Sequence, residues 1–393
     1  MAEEIKKSLL ITLEFPPQHG GVGNYYYNVA KNLPSDKIVV LAATDHKTAG
    51  FDRQQKFPII RLPKLTAINQ TIATGGRIGK LIGSLKWLSL NREIKRIAKN
   101  HKIELIQVGQ ILPLGTVALM LNRQQNLPYI IYTHGLDILL PQKFRRKKII
   151  LKKIISQAKG IIANSHFTQD ELLELGAAAE KIITVNPCPN LANQEVSEWK
   201  INEIRETYGL KNKKILLTVG RLVKRKGHDM VIESLPLILK RVPNLIYLII
   251  GDGPELKNLE TKINQKGLRD KVRFLTHVTT QELPAFYSLC DVFIMPARQI
   301  GPDVEGFGIV YLEANLFGKP VIAGRGGGVT DAVIDKKTGL LVDPKNPAAI
   351  AEAAINLLTT PALSEKLGLQ GMDRTIEKFN WENQVEKIKQ ILF

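Results

Sequence analysis

Short apolar runs recur along this chain, each followed by a polar turn and a longer amphipathic stretch, and the rhythm starts twice. The first series is Leu9–Leu13, Ile38–Ala43, Leu105–Val108, Tyr129–Tyr132 and Gly160–Ala163. The second is Ile215–Val219, Leu245–Ile250, Val272–Leu275, Val292–Met295, Val321–Ala323 and Leu340–Val342. A parallel strand is covered on both faces by crossover helices, so it reads as an unbroken apolar run and not as an alternation. Two series therefore predict an α/β chain of two doubly wound parallel sheets. Its 393 residues suit two domains of roughly 100–200 residues each. Between the series, Asn186-Pro-Cys-Pro-Asn190 and a polar stretch to Lys200 disfavour helix, as a linker would. The expected division is a first domain over 1–187, a linker over 188–200, a second domain over 201–373 and a terminal helical segment over 374–393. On that segment Trp381, Val385, Ile388 and Leu392 form one apolar face, expected to pack back on the first domain.

Composition narrows the class. With 44% hydrophobic and 23% charged residues the chain reads as globular. The longest apolar stretch, Ile111–Leu121, holds Pro113 and Gly115 and falls far short of the roughly 18 residues that span a bilayer. Glu3 and Glu4 before a short apolar run do not fit a signal peptide, so the expected location is the cytoplasm, or the inner face of the membrane as a peripheral protein. Cys188 and Cys290 stand far apart without metal-ligand company and are expected to be reduced packing residues. Net charge is +18, and residues 1–200 hold 28 Lys and Arg against 15 Asp and Glu. Such a field favours an anionic partner: nucleic acid, an anionic membrane surface or a phosphorylated small molecule.

In open parallel sheets ligands bind outside the carboxyl ends of the strands, so the loops there carry the candidates. After the first strand, Gly20, Gly21 and Gly23 precede a helix, as either a phosphate-facing loop or a tight turn. They do not make the dinucleotide pattern, because Tyr26 stands in place of its third glycine. After Val219, Arg221 and Lys226 lie beside Gly220 and Gly227, either to clamp a diphosphate or as a solvated basic turn. The sharpest signal is Glu305-Gly-Phe-Gly-Ile-Val-Tyr-Leu-Glu313. It sets Glu305 at a helix entrance and Glu313 about two turns inside an apolar helix, Ile309–Phe317, where a carboxylate is costly unless it accepts hydrogen bonds. Sugar or ribose hydroxyls would supply these, and the free amides of Phe307, Gly308 and Ile309 suit a phosphate.

These segments, with Thr133-His134-Gly135, together resemble glycosyltransferase family 4, the retaining GT-B glycosyltransferases, in order and over essentially the whole chain. Asp303–Glu313 and Ala323–Gly328 resemble the phosphatidylinositol mannosyltransferase-like members in particular. The resemblance implies two Rossmann-like domains facing across a cleft, and transfer of a hexosyl group from a nucleotide sugar to a lipid-linked or glycan acceptor. GDP-mannose is the favoured donor and a UDP-sugar the alternative. Carried over by position, Glu305 lies near the donor sugar, Phe307, Gly308 and Ile309 offer amides, and Glu313 binds the ribose. Arg221 and Lys226 stabilise the departing diphosphate, Gly20 and Gly21 face it, and His134 lies near the reaction centre. Asp137 and Asp331 stand where many members have Glu, and both keep a carboxylate. No cofactor or metal is expected: preorganised cations and amides stabilise the leaving group, and no two aspartates are separated by one residue to hold a divalent ion. Front-face attack, with the leaving phosphate taking the acceptor proton, and covalent catalysis by Glu305 both remain open.

Tyr25, Tyr26 and Tyr27 could flank an acceptor or simply pack. Residues 77–102 and 143–159 each carry eight Lys and Arg among apolar residues, the pattern of a membrane surface or of solvated helix faces. Two other functions compete. A basic nucleic-acid-binding protein would explain the charge but leaves both motif glutamates unexplained and shows no nucleic-acid motif. A non-catalytic GT-B scaffold would not need Glu305, Glu313, Arg221, Lys226 and His134 intact.

Overall fold

Seven parallel strands make the first sheet, in the order β3-β2-β1-β4-β5-β6-β7. They are β1 Ser8–Thr12, β2 Ile38–Ala42, β3 Ile59–Arg61, β4 Leu105–Val108, β5 Tyr129–Thr133, β6 Gly160–Ala163 and β7 Ile182–Thr184. Six more make the second, in the order β10-β9-β8-β11-β12-β13. These are β8 Lys214–Val219, β9 Leu245–Ile250, β10 Val272–Leu275, β11 Val292–Met295, β12 Val321–Gly324 and β13 Gly339–Val342. The coordinates are a computed structural model that describes residues 4–17, 20–44, 48–66, 79–191 and 195–393, without the side chains of 79–88.

The unbroken apolar runs have the expected cause. Along β1, Leu9 and Ile11 enter a core on one face of the sheet and Leu10 a core on the other, and all three are fully buried. Two strands were not anticipated, β3 and β7. Each has three residues at a sheet edge and several half-buried side chains, so neither builds a readable run.

The chain divides into two units, Met1–Pro187 with Trp381–Phe393, and Cys188–Asn380. The division differs from the expected one in two places. Residues 188–200 are part of the second unit, where Ser197 caps the helix Glu198–Thr207. The step back to the first unit comes after Asn380 and not after 373, because the helix Pro361–Lys378 is bound to the second unit through its last turns. Thr375 is buried there, and the Arg374 guanidinium donates to the carbonyls of Ala332 and Asp331 at 2.8 and 2.7 Å. The helix Trp381–Leu392 then buries Val385, Ile388 and Leu392 in the same core as Leu10 and Tyr132.

In each sheet the strand order reverses once, between β1 and β4 and between β8 and β11. The carboxyl ends at these reversals are where such sheets bind ligands.

Candidate active site

On the second unit the reversal gathers charge. The loop after β8 ends in a tight turn, Lys224–Lys226, that leaves Lys224 exposed and directs Arg225 and Lys226 to Glu305. Lys226 Nζ lies 2.7 Å from Glu305 Oε2, Arg225 pairs with the same oxygen, and Arg225 Nε reaches Asp303 Oδ1 at 3.0 Å. Burial alone would raise the Glu305 pKa, but Lys226 and Arg225 outweigh it and hold the carboxyl below its usual range. Glu305 is thus ionised and already paired.

The backbone around it needs glycine. Gly308 caps the helix Ile309–Leu316 with φ 91°, and a Cβ there would run into the Tyr311 ring at 2.4 Å. Gly327, at φ 56°, lies so close that a Cβ would sit 2.6 Å from the Glu305 carbonyl oxygen, which the Gly328 amide bonds at 2.9 Å. The first amides of the helix, at Ile309 and just before it, have no partner within the helix and are available to an anion.

Glu313 lies buried just over one turn into this helix and not two, because the helix begins at Ile309 and not at Glu305. Tyr287 donates its hydroxyl to Glu313 Oε2 at 2.9 Å, and the Asn190 backbone also bonds the carboxylate. Burial nevertheless raises the Glu313 pKa, against these hydrogen bonds and the charge of Lys226. Cys290, on the same unit, is buried and outside any disulfide, as is Cys188.

The second unit thus brings together Lys226, Glu305, Phe307, Gly308, Ile309 and Glu313. Arg221 stands apart, exposed and without an ion pair among the described residues. Arg225, Asp303 and Tyr287 were not anticipated. Arg225 was visible as the middle of Lys224-Arg225-Lys226, whereas nothing local marks Tyr287. Among the described residues no three His, Cys, Asp or Glu side chains gather as a metal site would require.

On the first unit, His134 follows β5 and Gly20 caps the helix Gly21–Asn32 after the β1 loop, of which Gln18 and His19 lie outside the described residues. A Cβ on Gly20 would meet Glu14 Oε2 at 3.5 Å, and one on Gly21 would meet nothing. Burial raises the Glu14 pKa. The His134 amide donates to Asp137 Oδ1 at 2.8 Å, while Asp137 Oδ2 is buried and has no hydrogen-bond partner among the described residues. Burial pushes the His134 imidazole down to about 4 and the Asp137 carboxyl up to about 6. Tyr25 and Tyr26 are buried core residues, which places them as packing and not as an exposed acceptor flank.

Of the basic segments, 143–159 contains the helix Arg145–Gln157. Its cations at 145–148 are exposed beside Phe144, Ile149 and Ile150, themselves 50, 60 and 40% exposed. In 77–102, Arg77 and the side chains through 88 lie outside the described residues, and Arg92, Lys95, Arg96 and Lys99 are exposed along the helix Gly79–Asn100.

Residues 19–192 match the family described as Glycosyltransferase Family 4, and residues 200–374 match Glycosyl transferases group 1. The chain is similar to a GDP-mannose-dependent alpha-(1-6)-phosphatidylinositol monomannoside mannosyltransferase of Mycolicibacterium smegmatis, 28% identical over 98% of this chain and 97% of the relative. A GDP-mannose-dependent monoacylated alpha-(1-6)-phosphatidylinositol monomannoside mannosyltransferase of Corynebacterium glutamicum is 27% identical over 98% of each. Among solved structures, Anabaena HepE in complex with UDP and glucose superposes with a TM-score of 0.79 at 21% identity, over 98% of this chain and 99% of that one. Both halves match in order, each on its own parallel sheet, with the motif carboxylates at the sheet reversal of the second: the chain belongs to the family 4 glycosyltransferases, hexosyltransferases of GT-B fold.

Proposed function

We propose that the chain transfers a hexosyl group from a nucleotide sugar, GDP-mannose in the first place, to a glycolipid acceptor held at an anionic membrane surface. The observation that carries the donor side is the Lys226–Glu305 pair at the β8/β11 reversal, beside the open amides at the start of the helix Ile309–Leu316. Lys226, Arg221 and Arg225 stabilise the leaving diphosphate, those amides take sugar or phosphate oxygens, and Glu313 accepts the ribose hydroxyls. The bond between the anomeric carbon and the phosphate oxygen breaks, and the acceptor oxygen bonds to the same carbon. Attack comes from the face that the phosphate leaves, and the acceptor proton passes to that phosphate, so that configuration is retained with no enzyme nucleophile. Charge is balanced by the chain's own cations and amides, without a metal or cofactor. UDP-sugars are the alternative donors.

The choice of mannose and of a lipid acceptor is supported by the activities for which the two mannosyltransferase relatives are named. Docking at a membrane is supported by the exposed cations and isoleucines of the helix Arg145–Gln157. Among the described residues no helix is long and apolar enough to cross a membrane. The test is a donor panel that follows release of GDP or UDP with and without phosphatidylinositol mannosides. GDP release from GDP-mannose that depends on the lipid supports the proposal, and turnover confined to a UDP-sugar or to soluble glycans overturns it.

A further inference from the structure

Gly109 follows β4 and His134 follows β5, neighbouring parallel strands, so their loops lie side by side. The helix Gly21–Asn32 lays Tyr26 between them. The buried Tyr26 hydroxyl donates to the Gly109 carbonyl and also stands 2.8 Å from His134 Nε2. A phenol has one proton and a peptide carbonyl has none to give. With the Tyr26 proton committed to Gly109, the second contact requires the imidazole to donate, so Nε2 carries the hydrogen. Because burial keeps the ring neutral at physiological pH, Nδ1 is then bare. Burial, with the charges of Asp137 and Glu14, holds the Tyr26 phenol far above its ordinary range, so its proton stays in place.

The ring is also held in orientation. Tyr25 meets it edge-on at 5.2 Å and 85°, Tyr26 at 5.5 Å and 72°, and Asp137 anchors its backbone amide. Among the described residues His134 Nδ1 has no hydrogen-bond partner.

We infer that Tyr26 is a positioning residue that locks His134 in its Nε2–H tautomer and presents Nδ1 as a hydrogen-bond acceptor for a substrate hydroxyl. In the opposite tautomer an N–H would meet that hydroxyl, and the hydroxyl would have to turn and accept. The identity of the hydroxyl, on the transferred hexose or on the acceptor, rests on the function proposed above; the tautomer belongs to the unliganded chain.

The experiment is imidazole ¹⁵N NMR of the full chain at neutral pH, with His134 assigned among the seven histidines by His134→Gln. The wild type is expected in the Nε2–H form. Tyr26→Phe keeps the ring contacts and removes one hydroxyl, and is expected to mix the tautomers and to lower turnover roughly tenfold. In a His134→Ala background the same change is expected to cost no further turnover. An Nδ1–H tautomer in the wild type overturns the inference even if Tyr26→Phe does not fold, and so does a tenfold loss that persists without His134. A chain that transfers nothing from any donor yet shows the Nε2–H form would refute the proposed function alone.

Discussion

The Tyr287 hydroxyl lies 2.9 Å from Oε2 of Glu313, so a carboxylate inside an apolar helix is held in place before any ligand arrives. That arrangement costs nothing to rearrange when ribose hydroxyls approach the remaining lone pairs. Glu313→Ala should weaken binding of the free nucleotide by on the order of tenfold or more, and Tyr287→Phe by less. Glu305→Ala should instead lower turnover and spare nucleotide affinity. Calorimetry with GDP and UDP checks this, and unchanged affinity in Glu313→Ala would remove the ribose assignment.

Lys226, Arg225 and Arg221 differ in what they touch without a ligand, and this separates their expected phenotypes. Each replaced by Ala should lose about 3 kcal/mol of transition-state stabilisation, on the order of a hundredfold in turnover. Arg221→Ala, at an exposed position, should leave stability within about 0.5 kcal/mol. Lys226→Ala leaves Glu305 with a single cationic partner and should also lower stability. Added Mg²⁺ should rescue none of them, and loss of wild-type activity in EDTA would refute the metal-free mechanism.

Asp137 and His134 should oppose each other in the pH dependence of stability. The folded chain keeps the Asp137 proton up to about pH 6, against an ordinary pKa of 3.8. Its contribution is therefore present below about pH 4 and lost as pH rises to 6. His134 stays neutral down to about 4 in the fold and protonates at its ordinary 6.5 when unfolded, so its contribution is present above 6.5 and lost as pH falls to 4. Each is worth at most about 3 kcal/mol. Denaturant titrations across pH 4 to 7 should show Asp137→Asn losing stability toward acid more steeply than wild type. His134→Gln should lose more toward neutral pH. Parallel curves for all three would contradict the burial of both groups. His228, also pushed down by burial, to about 3, adds the same acid loss to each protein, so the differences isolate the pair.

Arg145, Arg146, Lys147 and Lys148 form one exposed cationic edge beside Ile149 and Ile150. Near an anionic lipid surface each cation contributes about 1 kcal/mol, within a Debye length of roughly 8 Å. Neutralising all four should reduce co-sedimentation with anionic liposomes and not with neutral ones, and raised salt should mimic the change. Equal sedimentation of the two proteins would leave this helix as a solvated face, and tight salt-sensitive binding to oligonucleotides would favour a nucleic-acid partner instead.

The legible parts of the sequence were those where local pattern and final environment coincide. Strands such as β1 and β9 are buried on both faces, and their unbroken apolar runs say so. Glu305 and Glu313 share one short segment, so their spacing survives folding intact. Arg225 stands in plain view among three adjacent cations, but its role does not, because the tight turn Lys224–Lys226, and not composition, decides which of them point inward. The Tyr26–His134 contact joins residues 108 positions apart through the order of the first sheet, and Tyr287 reaches Glu313 from another helix; neither leaves a local trace.

Because Trp381–Leu392 closes the core that holds Leu10 and Tyr132, the first unit is the earliest to be synthesised and the last to be finished. Until the ribosome has made all of Cys188–Asn380, Gly160 faces no Ile391 and Tyr25 no Trp381. The nascent first unit must therefore wait with that apolar surface uncovered, while the second unit is free to fold from a continuous stretch. Folding order is thus inverted relative to translation order, and a chain halted before Trp381 should display a complete second unit beside an incomplete, aggregation-prone first one.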